Sequence, residues 1–109
     1  MLKSKEMFRW ESIAKRVAKA SRKVLGDVEV YVFGGFAKGE VTAASDLDIL
    51  IISGRLPRDV KGRVRVKEEI EVKAKLPLIH SVDIHLATPL EVKLNPIYKE
   101  ALKTGLKIW

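Results

Sequence analysis

The stretch FGGFAKGEVTAASDLDILI, Phe33 to Ile51, decides how the rest of the chain is read. At its left end the tandem glycines Gly34 and Gly35 break a run in which Val28, Val30 and Val32 alternate with Glu29, Tyr31 and Phe33. That is a strand entering a tight turn. At its right end LDILIIS is a nearly continuous, β-prone apolar run, which predicts a central strand buried on both faces except at its start. Between them Gly39 and the small residues Thr42, Ala43 and Ala44 predict a loop, with room for one helical turn.

Asp46 and Asp48 stand one residue apart at the entrance of the second strand, so a period of two points both carboxylates to one face. Like charges held together repel. Such a pair is either solvated or neutralised by a cation, and hard ions such as Mg²⁺ favour oxygen-only ligand sets. An isolated Asp-x-Asp is usually just a solvated strand end, but here ten residues separate it from Gly35. Glycines let backbone N–H groups form a concave nest for phosphate oxygens, so a triphosphate and a carboxylate-bound cation would meet at one strand edge. Lys38 could add positive charge to that loop, although a solvent-facing lysine is its plainer reading. A third carboxylate, Asp83, sits in the otherwise apolar run VDIHLA, where burial without a partner would be costly. If that run pairs with the second strand, three acids on two strands form a two-metal site.

Outward from this centre, Trp10, Ile13, Ala14, Val17 and Val24 mark one amphipathic helix over about residues 5 to 25, with Ser4 as N-cap and Gly26 as its left-handed terminator. Residues 58 to 75 read as a second helix on Val66, Ile70 and Ala74, with Gly62 weakening its first turn. In the third strand Val82, Ile84 and Leu86 share one face, Asp83 and His85 the other. Asn95 then caps a short helix opened by Pro96, paired along its length by Tyr98 and Leu102 and ended by Gly105; the tail LKIW is apolar enough to dock. The order α, β, loop, β, α, β, α gives a small α/β (α+β) fold, a mixed sheet with helices packed on it, expected as one domain over residues 1 to 109.

Composition narrows the function classes. With no cysteine there is no disulfide, thiol nucleophile or thiolate metal site. No apolar run approaches the ~20 residues of a membrane span, and the N-terminus lacks a secretory h-region, so a cytoplasmic protein is expected. The net charge of +7 favours anionic partners, but the basic residues are spread from Lys3 to Lys107, as on an ordinary solvated surface.

The run Phe33 to Ile51 with the later Asp83 resembles the signature of the DNA polymerase β-like nucleotidyltransferase superfamily, and the size and layout resemble its minimal nucleotidyltransferase branch, as in HEPN/MNT toxin-antitoxin pairs. The likeness covers Val28 to Leu86 firmly and the NPIYKEALKTG tail more loosely. It implies that Gly34 and Gly35 contact nucleotide phosphates, that Asp46 and Asp48 bind two Mg²⁺ ions, and that Asp83 completes the ion activating the acceptor. Many members have Ser at the position of Gly35, so here backbone N–H groups must serve in place of a hydroxyl. Ser45 also fits the nucleotide-binding pattern, though capping the loop is its plainer role. The implied activity is transfer of a nucleoside monophosphate from an NTP, ATP by expectation, to a hydroxyl of a partner protein or an RNA end. A HEPN-domain partner and an antitoxin role come with the resemblance, with self-association left open. Two other readings stand beside it: a non-catalytic module that neutralises its partner by docking, and a small basic nucleic-acid binder. His85 shares the face of Asp83, but a packed or surface histidine is the plainer reading; His80 has no evident partner. Trp10, Tyr31, Phe33 and Tyr98 fall at helical or strand spacing and read as core or interface.

Overall fold

The computed structural model describes residues 4–34, 47–77 and 82–109, with side chains from residue 10 onward. Gly35, Lys38, Ser45, Asp46 and His80 lie outside the described residues. The elements in chain order are α1 (Ser4–Leu25), β1 (Glu29–Phe33), β2 (Leu47–Ile52), α2 (Val60–Lys73), β3 (Val82–Ala87), α3 (Pro89–Leu94), α4 (Pro96–Thr104) and β4 (Leu106–Lys107). Four strands form one sheet in the order β3-β2-β1-β4. Strand β1 pairs antiparallel with β2 and with β4, while β2 and β3, joined through α2, run parallel.

β2 is interior in the sheet, and its residues are buried except Asp48, which is half-buried. Its alternation divides the core. Leu47, Ile49 and Ile51 join Val30, Val32 and Ile84 on the face packed by Trp10, Ala14 and Val17 of α1 and Ile70 of α2. Leu50 and Ile52 join Phe33, Ala87, Val92 and Ala101 on the face covered by α3 and α4. On this second face lie Asp48, half-buried, and Asp83, exposed, each the second residue of its strand.

Local chemistry accounts for the element ends. Gly26 takes a φ of 82° and its N–H donates to the Arg22 carbonyl at 2.8 Å, closing α1 in the left-handed conformation. Asp59 caps α2 by accepting from Gly62 N–H at 2.8 Å. Gly62 is therefore not only a weak helix former: a Cβ there would meet the Pro57 ring at 2.6 Å.

The structure departs from expectation in four places. Ser4 is the first residue of α1 rather than its cap. An additional helix, α3, follows β3 because Thr88 Oγ1 accepts from Glu91 N–H while Glu91 Oε1 accepts from Thr88 N–H, a reciprocal box with Pro89 opening the first turn. The tail docks, as its apolar character predicts, but as an added strand, β4, on the open edge of β1, with Ile108 against the larger core cluster and the Arg22 guanidinium 4.1 Å above the Trp109 ring. Finally, Tyr98 packs onto the Phe33 cluster, whereas Leu102, one turn further along α4, is exposed. Among the described residues no helix is long and apolar enough to cross a membrane.

Candidate active site

Parallel pairing in register sets Asp48 beside Asp83 and Leu50 beside His85. All side chains of one parity then share a face, so Asp48, Asp83 and His85 project together on the side of α3 and α4. On the other flank the antiparallel register sets Phe33 beside Asp48, which brings the next residue, Gly34, against that carboxylate. Gly34 has a φ of 76°, and a Cβ placed on it would lie 2.5 Å from Asp48 Oδ2. Only glycine provides both the left-handed turn and the space.

The Asp48 carboxylate therefore has two outlooks. Oδ2 lies against the glycine turn, whereas Oδ1 is 3.5 Å from His85 Nε2. Asp83 Oδ2 approaches the same nitrogen at 3.2 Å. Despite these distances, Nε2 is a buried atom that makes no hydrogen bond among the described residues, because neither contact has the required alignment. The rest of the ring is held by aromatic edges: Phe33 at 5.1 Å between centroids and 62°, and Tyr98 at 6.0 Å and 76°.

Tyr98 is placed by α4, whose entry is set by Asn95 Oδ1 accepting from Ile97 N–H at 2.9 Å. Burial pushes the Tyr98 phenol above its ordinary pKa, and the charges of Glu91 and Asp83 push the same way, so it stays protonated. Glu91 accepts from Arg63 Nη1 at 2.8 Å and joins α3 to α2. That bond, followed by the backbone bond from Thr88, holds the Glu91 carboxyl below the usual range.

Asp48, Asp83 and His85 each offer one donor atom, and the three atoms lie within 4.8 Å of one another. Two carboxylates beside an imidazole nitrogen that lacks a hydrogen bond are a donor set suited to a divalent cation. Such an ion would neutralise the paired carboxylates and give Nε2 a partner. The structure brings together two of the three predicted acids, and Asp46 lies outside the described residues. Of the predicted phosphate-contacting residues, Gly34 is at the turn beside them. His85, expected as a packed or surface residue, packs against Phe33 and Tyr98 and also approaches both carboxylates. Its signal was the Asp-x-His alternation, which already set it on the face of Asp83.

Comparisons with known proteins bear on the domain and its fold. A family model for the nucleotidyltransferase domain matches residues 12–108. Among solved structures, a protein from Sulfolobus solfataricus assigned as a nucleotidyltransferase superposes with a TM-score of 0.69 at 22% identity, covering 96% of this chain and 84% of that one. A second structure assigned as a nucleotidyltransferase gives 0.64 at 21% identity, over 87% of this chain and 96% of the other. A toxin-antitoxin structure with AMP-PNP gives 0.60 at 16% identity, covering 88% and 72%. No curated sequence matches significantly. Because the family match spans both strands that carry the acids and the glycine turn that faces them, this chain belongs to the nucleotidyltransferase domain family and has the polymerase β-like fold of its minimal members.

Proposed function

We propose that the protein transfers a nucleoside monophosphate from an NTP, with ATP as the expected donor, to a hydroxyl group. The observation that carries this reading is the adjacency of Asp48 and Asp83 on one sheet face, against a glycine turn, inside a nucleotidyltransferase domain. The acceptor hydroxyl releases its proton to solvent as its oxygen attacks the α-phosphorus, the bond from that phosphorus to the bridging oxygen breaks, and pyrophosphate leaves. Divalent cations, Mg²⁺ in the simplest case and two by family resemblance, supply charge for the phosphates and acidify the hydroxyl when bound. Asp46, Asp48 and Asp83 would hold them. The turn at Gly34 and Gly35 supplies backbone N–H groups for the phosphates, with Lys38 and Ser45 as further contacts in the same loop. Positioning and charge stabilisation then account for most of the acceleration.

A toxin-antitoxin structure among the relatives, seen with AMP-PNP, supports a protein acceptor and an antitoxin role. On this reading the partner is a HEPN-domain protein, modified in the manner of a protein adenylyltransferase; an RNA end is the other acceptor consistent with the chemistry. The test is incubation with α-labelled ATP, Mg²⁺ and a HEPN-domain protein encoded beside it. Label should pass to the partner, and Asp48→Asn should abolish the transfer. A partner that is inhibited without being labelled would instead support the docking module and overturn the protein acceptor.

A further inference from the structure

The nitrogen of His85 is the one donor in the cluster that an oxygen-only Mg²⁺ site does not need. We infer that His85 Nε2 is itself a metal ligand and that, with Asp48 Oδ1 and Asp83 Oδ2, it makes one cation position selective for Mn²⁺ and its transition-metal neighbours over Mg²⁺. This rests on the carboxylate site proposed above and goes further by assigning a selectivity-determining residue.

Three observations carry it. First, Nε2 is buried and makes no hydrogen bond among the described residues, although the imidazole ring itself is partly exposed. A buried polar atom left in that state is destabilising and calls for a partner. Second, its separations of 3.2 and 3.5 Å from the carboxylate oxygens are those of atoms sharing an ion. Ligands about 2.1 Å from a common metal stand about 3.0 Å apart at right angles and about 3.4 Å apart in a tetrahedral arrangement. A hydrogen bond would require alignment that these contacts lack. Third, the ring is held edge-on by Phe33 and Tyr98, which fixes the direction of Nε2 without using that atom. Preorientation of this kind is what a ligand histidine requires. Mg²⁺ gains little from imidazole, whereas Mn²⁺ and the later divalent ions accept mixed nitrogen and oxygen sets.

The competing account is a protonated His85 acting as a counter-ion to both carboxylates, and the two diverge in metal binding. The experiment titrates the full chain, without nucleotide, with Mn²⁺ and separately with Mg²⁺, by calorimetry and by Mn²⁺ electron paramagnetic resonance. The wild type should bind Mn²⁺ at least about tenfold more tightly than Mg²⁺ and show nitrogen modulation on the bound ion. His85→Ala should remove the modulation and weaken Mn²⁺ binding by about 10–100-fold while changing Mg²⁺ binding by no more than about twofold. A rise in affinity for both ions in His85→Ala would overturn the inference in favour of the counter-ion. Equal affinities with no nitrogen signal, but binding lost in Asp48→Asn, would overturn it and leave the carboxylate site standing. Absence of binding by either ion to the wild type would remove both. Circular dichroism of each variant separates loss of ligand from loss of fold.

Discussion

At the scale of the residue, Asp48 and Asp83 stand side by side on neighbouring strands, an arrangement that raises the energy of the chain before any cation binds. On the proposed function, replacing Asp83 by Asn should cut nucleotidyl transfer by at least about 100-fold, since a carboxylate proposed to hold a cation is lost, yet leave the melting temperature without divalent ions equal or higher. Parallel rate assays and thermal melts check this; a lower melting temperature would mean that Asp83 is a structural acid. Gly34 bears on the same centre from the backbone. Gly34→Ala should destabilise the fold by about 1–2 kcal/mol through its positive φ and also displace the Asp48 carboxylate. Urea unfolding reports the first effect, and weakened divalent-ion binding the second.

Among the elements, α3 depends on a small polar network rather than on length. Thr88→Ala removes half of its reciprocal cap and should cost about 1 kcal/mol, read from the urea midpoint. Glu91 ties that cap to Arg63 and releases its proton more readily folded than unfolded. Its contribution is therefore complete above the ordinary carboxylate pKa and is lost as the pH falls through its depressed folded value. Between about pH 6 and about pH 3 the stability of the wild type should decline more steeply than that of Glu91→Gln, as measured by denaturant midpoints across that range. Coincident slopes would dissociate the ion pair from stability. The signal for α3 lies in Thr-Pro-Leu-Glu, whose first and last residues carry the box, but six residues are too short to show an apolar face of their own.

Across the whole molecule, the sheet is clamped between unequal helix layers, and Ile70 is the single buried residue within α2. Ile70→Ala should cost about 2–5 kcal/mol by cavity formation against Val17 and the β2 face, a loss visible in chemical denaturation. A much smaller cost would mean that α2 is held by its polar ends. β1, β2 and α1 were legible because each has a simple period: valines alternate in β1, apolar residues run through β2, and Trp10, Ala14 and Val17 return every turn in α1, whereas α2 was ambiguous because RVRV within it alternates like a strand. The tail of β4 was not legible, because two exposed residues carry no period and gain their structure only from the open edge of β1.

For the site, local sequence determined the kind of chemistry: glycines that permit a tight turn, carboxylates at strand starts, and a histidine two residues beyond an aspartate. What only the tertiary structure decided is which of these meet. A one-residue shift of β3 along β2 would send Asp83 and His85 to the opposite face, and no property of either strand alone forbids it. The register is chosen by the cores on both faces, which bury Ile84 on one side and Ala87 on the other, and with that choice two acids and a nitrogen from separate segments come to share one small space.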